Sequence, residues 1–452
     1  MTSEKFSGQK SMLSHHERAG PRQNLLALLL FALSGLTGLV YEVLWRRMLS
    51  VVLGGSIYAT AAVLSSFMAG LFLGSVVVGR WADRWKNPLR AYGLFEILIA
   101  AFALVLHPAS RGLISLQSHL YPSLESNPLA LGVVRFATSF GILLFPAFLM
   151  GGTFPLLSKF YLRDSSSVGK GIGRLYSVNT GGAVLGTVLA GFFLIRLLGT
   201  RATNLAAIAL NAAVGIAAVG LSSGKFIKPP SAVSPTTSVL KTYSRATRAA
   251  LLTGFALSGF TALCYEVLWS RVLVFVVGNT TYSFAIMLST FLLGLTLGSY
   301  LFALLLARKK NLFMSAAVIE LLIGIFALVG MALTRSFYGI FDNLKGSFST
   351  WGYVPYTVVR YALASMALLP QAILFGLFFP ALVSIYTGNY EKVGGDVGRA
   401  YGSNTVGAIF GSAAAVFLLI PAFGLSGAML VTAVVNVSIG LVLLGLSPEL
   451  SS

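Results

Sequence analysis

The chain repeats itself. Residues 31–47, FALSGLTGLVYEVLWRR, return at 255–271 as FALSGFTALCYEVLWSR, identical at 13 of 17 positions. An offset of 224 also carries Tyr58 to Tyr282, Gly70 and Gly74 to Gly294 and Gly298, and Glu96 to Glu320. After one inserted residue the offset is 225, carrying Arg135 to Arg360, Pro155 to Pro380, Arg174 to Arg399, Asn179 to Asn404 and Gly186 to Gly411. A register held along a whole half marks a duplicated architecture. Any fold for this chain must therefore be built from two homologous units.

Each unit is a series of apolar runs. In the first they cover approximately 24–50, 57–79, 89–107, 130–158, 174–198 and 202–221; in the second, 249–274, 281–307, 312–333, 355–386, 399–420 and 425–446. Apolar runs of about 18 residues or more cross a bilayer as helices. Composition points the same way: 56% hydrophobic residues, 10% charged residues and a mean hydropathy of +0.84, where soluble domains carry about 25% charged residues. The expected fold is an all-α polytopic membrane protein of about 12 transmembrane helices in two six-helix repeats. Six is an even number, so both repeats enter from the same side and are parallel, related by an axis along the membrane normal.

Lys and Arg collect in cytoplasmic loops. With the N-terminus inside, the inner segments hold 22 of the 32 basic residues, so both termini are expected in the cytoplasm. The net charge of +19 is then topogenic, and no basic stretch interleaved with aromatics suggests a nucleic-acid partner. The expected organisation is a disordered cytoplasmic tail (1–23), the first repeat (24–221), a Ser-, Thr-, Pro- and Lys-rich cytoplasmic linker (222–248), the second repeat (249–446) and a short tail (447–452). The segments near 108–129 and 334–354 are expected to lie along the periplasmic interface.

This outline resembles the major facilitator superfamily, with six plus six spans, parallel repeats and a long central loop. The segment 79–84, GRWADR, resembles the facilitator loop between spans 2 and 3. The resemblance implies a tight turn at Gly79 and a lock between the halves made by Asp83 and Arg84. The second half departs from the pattern, since its counterpart ARKK at 307–310 has no acid.

Glu42, Glu96, Glu266 and Glu320 fall inside apolar runs. A carboxylate there resists insertion by about 2.5–3.5 kcal/mol, so intramembrane acids are candidates for function. At about 1.5 Å per residue, Glu42 lies roughly 25 Å into its span and Glu96 roughly 10 Å into its own, giving an outer and an inner acidic tier. Four such acids around a pseudo-two-fold axis suit a linear polycation, or proton coupling. The competing reading is an ion-pair network: Arg46 follows Glu42 at i+4, Arg47 and Arg271 follow the outer acids at i+5, Arg135 and Arg360 open span 4 on the outer side, and Arg174 and Arg399 open span 5 near Glu96 and Glu320. Tyr41, Trp45, Tyr265 and Trp269 flank the outer acids. They suit either a cation, through their ring faces, or an interfacial aromatic belt.

Small residues at i and i+4, such as Gly182 and Gly186 or Gly407 and Gly411, let helices approach closely. Gly152 with Pro155, and Gly376 with Pro380, weaken long spans and are candidate hinges. No cofactor or metal site is expected, because Cys264 is the sole cysteine and the four histidines lack metal-ligand spacing.

The motifs LSGxTxLxYEVLWxR, GLxLGS and GRxYxxNTxGAxxG, each occurring in both halves, resemble the transmembrane region of bacterial fused facilitator/spermidine-synthase-like proteins. The resemblance covers residues 24–446 and implies a bacterial inner membrane and polyamine chemistry. No βαβ unit, nucleotide loop or acidic cluster supports the aminopropyl-transfer activity of the soluble domain, so no catalytic residue is assigned. The expected function is transport of polyamines or related organic cations. The alternative is a non-catalytic membrane module that partners a separate spermidine-synthase-like enzyme.

Overall fold

The computed structural model describes residues 21–53, 57–124, 127–162, 168–223, 244–277, 280–309, 311–351, 353–387 and 392–451. The tail expected at 1–23 and the linker expected at 222–248 fall mostly outside these residues. All regular structure among the described residues is helical: α1 (Pro21–Leu53), α2 (Ile57–Ala82), α3 (Pro88–Leu124), α4 (Pro128–Tyr161), α5 (Val168–Val188), α6 (Ile195–Ser223), α7 (Arg245–Val277), α8 (Thr280–Leu301), α9 (Leu312–Trp351), α10 (Tyr353–Tyr386), α11 (Val393–Ala414) and α12 (Ile420–Ser451).

Ten helical stretches among the described residues are long and apolar enough to cross a membrane. Two of them, of 55 and 53 residues, are each far longer than one crossing, which takes about 20 residues. Each contains a break at a glycine with positive φ, Gly199 at 75° and Gly424 at 65°. Only glycine takes that conformation at no steric cost, and the break lets one apolar stretch supply two crossings. Just before each break the backbone widens into a π-helical segment, Leu189–Leu194 and Ala415–Leu419.

Most of the segments near 108–129 and 334–354 is helical: α3 and α9 run on into them as helices of 37 and 40 residues. Leu and aromatic residues within these segments are helix-compatible, and no glycine or proline stops the helix before its end. The C-terminal residues 447–451 likewise extend α12.

The helices pair alike in both halves. α1 packs on α5, α2 on α4 and α3 on α6, as α7 packs on α11, α8 on α10 and α9 on α12. Lipid tails compete equally for apolar side chains, so close backbone approach drives this packing. A Cβ on Gly182 would overlap the Ala32 carbonyl of α1, and one on Gly407 would overlap the Ala256 carbonyl of α7. The halves meet through α2 against α11 and α5 against α8.

Candidate functional site: a central cavity between the halves

A cavity of about 270 Å³ lies between the halves and is lined from α1, α2, α3, α4, α5 and α6 and from α7, α8, α10 and α11. Three of the four intramembrane acids, Glu42, Glu96 and Glu266, line it.

Glu96 is held by a polar cluster. Ser34 Oγ donates to Glu96 Oε1 at 2.6 Å, Asn211 Nδ2 donates to the Glu96 carbonyl at 2.6 Å, and Thr37 Oγ1 donates to Asn211 Oδ1 at 2.6 Å. Ser34 precedes Glu42 by eight residues on α1, about 12 Å along the helix. The second half repeats the residue types with different wiring: Asn436 Nδ2 donates to Glu320 Oε2 at 2.6 Å and to Thr261 Oγ1 at 3.0 Å. Glu320 is fully buried and, unlike Glu96, is not among the cavity-lining residues.

Glu42 and Glu266 come from opposite halves and interact electrostatically with each other. Arg46, one turn along α1 from Glu42, interacts with both. The corresponding residue on α7 is Ser270, whose Oγ donates to the Val267 carbonyl of its own helix at 2.7 Å. The duplication has thus kept both acids of this tier, while Arg46 has no basic counterpart at position 270.

Six rings form one cluster in the wall of the cavity. Phe31, Phe154 and Tyr176 from the first half meet Phe255, Phe379 and Tyr401 from the second, and all six line the cavity. Within the halves, Phe31 lies 6.0 Å from Phe154 and Phe255 lies 6.0 Å from Phe379 between ring centroids. Across the halves, Tyr176 lies 4.8 Å from Phe379 and Phe154 lies 5.9 Å from Tyr401. The offsets of 224 and 225 relate the six as three pairs.

Outside the cavity lining, the halves are tied together. Asp83 Oδ1 and Oδ2 accept the backbone N–H groups of Gly394 and Gly395 at 2.9 and 2.7 Å, and Lys159 Nζ lies 3.2 Å from Asp83 Oδ1. Lys392, at the N-cap of α11, makes no side-chain cap, so an acid from the other half satisfies orphan donors at that helix start.

Several expected roles are relocated. Tyr41, Trp45, Tyr265 and Trp269 neither line the cavity nor face outward: all are buried in the helix core, Tyr41 stacked on Trp45 and Trp269 Nε1 donating to Gln371 Oε1 at 2.9 Å. On a helix that packs on both sides, positions next to a cavity-facing residue point into neighbouring helices. Arg84 is exposed and the locking partner of Asp83 is the α11 start. Gly79 forms no turn; it lies within α2, where a Cβ would come 2.8 Å from the Gly394 carbonyl oxygen. Arg399 pairs with Asp396 at 2.6 Å, and Asp396 also binds Arg248 at 3.0 Å. Arg174 and Arg47 are exposed and Arg271 is half-buried, while the side chains of Arg135 and Arg360 lie outside those described. α4 and α10 run unbroken through Gly152 and Pro155 and through Gly376 and Pro380; a Cβ on Gly376 would come 2.5 Å from the Leu295 carbonyl oxygen, so close packing on α8 already requires this glycine.

Sequence reasoning missed Ser34, Thr37 and Asn211 and the six rings. The repeat held the signal: each has a like residue at the offset of 224 or 225, inside an apolar run.

No family model and no curated protein matches the chain. Solved structures do. The chain is similar to a bacterial homologue of the iron transporter ferroportin in an outward-facing state, with a TM-score of 0.61 at 12% identity over 95% of this chain and 99% of that one. It is similar to the human organic anion transporter MFSD10, with a TM-score of 0.61 at 13% identity over 94% and 99%. It is also similar to the major facilitator transporter FucP in its outward conformation, with a TM-score of 0.57 at 14% identity over 95% and 99%. The chain is a multi-pass membrane protein with the fold of the major facilitator transporters.

Proposed function

We propose that the protein is an alternating-access transporter of organic cations of the polyamine class. The observation that carries this reading is the cavity itself: among the described residues three carboxylates line it and no Lys or Arg does, although Arg46 interacts with two of the three. A buried acidic surplus attracts a cation, and an apolar wall accepts the methylene stem between two amines. The similar solved structures range from a homologue of an iron transporter to an organic anion transporter, so the cargo is argued from the cavity and not from the fold. The resemblance of the repeated motifs to spermidine-synthase-like fusions supports polyamines within the cation class, and supports a synthase-like soluble partner as a second reading. The distribution of basic residues supports cytoplasmic termini, which put the Asp83 lock on the cytoplasmic side; the same resemblance supports a bacterial inner membrane.

Purified protein in vesicles is expected to move putrescine or spermidine across the membrane. Unchanged flux in the Glu42→Gln plus Glu266→Gln double variant would sink the assigned site. Stable co-purification with a soluble synthase-like enzyme, and no flux alone, would favour the second reading.

A further inference from the structure

We propose that the six-ring cluster in the wall of the cavity is a cation–π subsite, so that the protein selects amines whose charged nitrogens carry apolar substituents. This inference rests on the cation-transport reading and says where the charged nitrogen sits.

The rings are built for more than packing. An apolar plug needs no particular side-chain type, and Leu and Val are abundant in this chain. Yet all three pairs related by the repeat are aromatic, on six different helices: Phe31 and Phe255 on α1 and α7, Phe154 and Phe379 on α4 and α10, and Tyr176 and Tyr401 on α5 and α11. Their mutual angles are mixed, from 11° between Phe31 and Phe154 to 85° between Phe379 and Tyr401. Rings packed at different angles on one cavity wall present both faces and edges to that cavity, and a cation is attracted to the faces.

The acids line the same cavity as the rings, Glu42, Glu96 and Glu266 among them, and Phe31 precedes the Glu96-binding Ser34 by one turn of α1. A cation drawn in by these carboxylates therefore enters a space whose wall includes the rings. Carboxylates alone hold inorganic and organic cations alike; ring faces add an attraction for an ammonium and an apolar surface for the methylene or methyl groups it carries. The ring contacts also cross the halves, as in Tyr176 against Phe379 at 4.8 Å. A cation on this surface touches both units whose separation would release it.

The test uses the full-length protein in nanodiscs and equilibrium binding of radiolabelled spermidine at fixed ionic strength. Phe379 and, separately, Phe154 are replaced by mono-, di- and trifluorophenylalanine, which drains the ring face of electron density at nearly constant shape. Affinity is expected to fall stepwise with fluorination, by about two- to thirtyfold in total at each position. Phe379→Leu is expected to fall as far, and Phe379→Tyr to bind as the parent does. A flat fluorination series in protein that still binds spermidine overturns the subsite and leaves the cation reading standing. Parent protein that binds neither spermidine, putrescine nor tetramethylammonium overturns both.

Discussion

Asp83 and Gly395 lie 312 residues apart in the chain and 2.7 Å apart in the structure, a carboxylate oxygen accepting a backbone N–H across the two halves. A charge-assisted hydrogen bond contributes about 1.5–3 kcal/mol, and the start of α11 adds the favourable end of its dipole. The second half has Ala307 in the place of Asp83, so the symmetric contact between α5 and α8 lacks this tie. Asp83→Asn is expected to loosen this end of the molecule. With Cys264→Ser as background and a single cysteine at position 34, an impermeant thiol reagent added from the Asp83 side is expected to react faster in the Asp83→Asn variant. Equal rates would show that this end is closed without the Asp83 tie.

Arg46 interacts electrostatically with Glu42 and Glu266, two acids that line the cavity. If cargo is cationic, it competes with this guanidinium. Arg46→Gln is expected to raise spermidine affinity by about tenfold, the effect of about 1.4 kcal/mol, and Ser270→Arg to lower it. A fall in affinity with Arg46→Gln would show that the arginine binds cargo instead of opposing it.

Gly182 packs its backbone onto the Ala32 carbonyl of α1, whereas nothing lies within 4 Å of a Cβ built on Gly254. Overpacking of this kind costs about 1–3 kcal/mol. Gly182→Ala is expected to lower the thermal unfolding temperature in detergent, and Gly254→Ala to leave it close to the parent value.

Asn436 is the amide that binds the buried Glu320 carboxylate at 2.6 Å. Its removal strips a buried acid of a hydrogen bond, which costs about 1–3 kcal/mol or more for a charged group. Asn436→Ala is expected to reduce thermal stability while spermidine affinity changes little, because Glu320 does not line the cavity. Loss of binding at unchanged stability would place Glu320 in the cargo site after all.

The fold was legible because its signals are local and repeated. Apolar runs long enough to cross a bilayer, recurring at a constant offset, already imply paired six-helix units. The helical ends were less legible. Residues 108–124 and 334–351 mix polar and apolar side chains, and hydropathy stops marking a helix once it leaves the apolar range, although α3 and α9 continue.

The site divides in the same way. An acid in an apolar run stands out by its insertion cost, so Glu42, Glu96, Glu266 and Glu320 were visible in the sequence alone. A phenylalanine in an apolar run costs nothing to insert, so Phe154 and Phe379 were indistinguishable from lipid-facing neighbours. The sequence alone therefore determined that the chain is duplicated, membrane-spanning and acidic inside. Only the tertiary structure decided that Glu96 opens to the cavity while its twin Glu320 is sealed, that Tyr41 and Trp45 belong to the core, and that six rings from six helices converge. A helix presents a new face every 100° or so, and which face meets a cavity depends on neighbours hundreds of residues away.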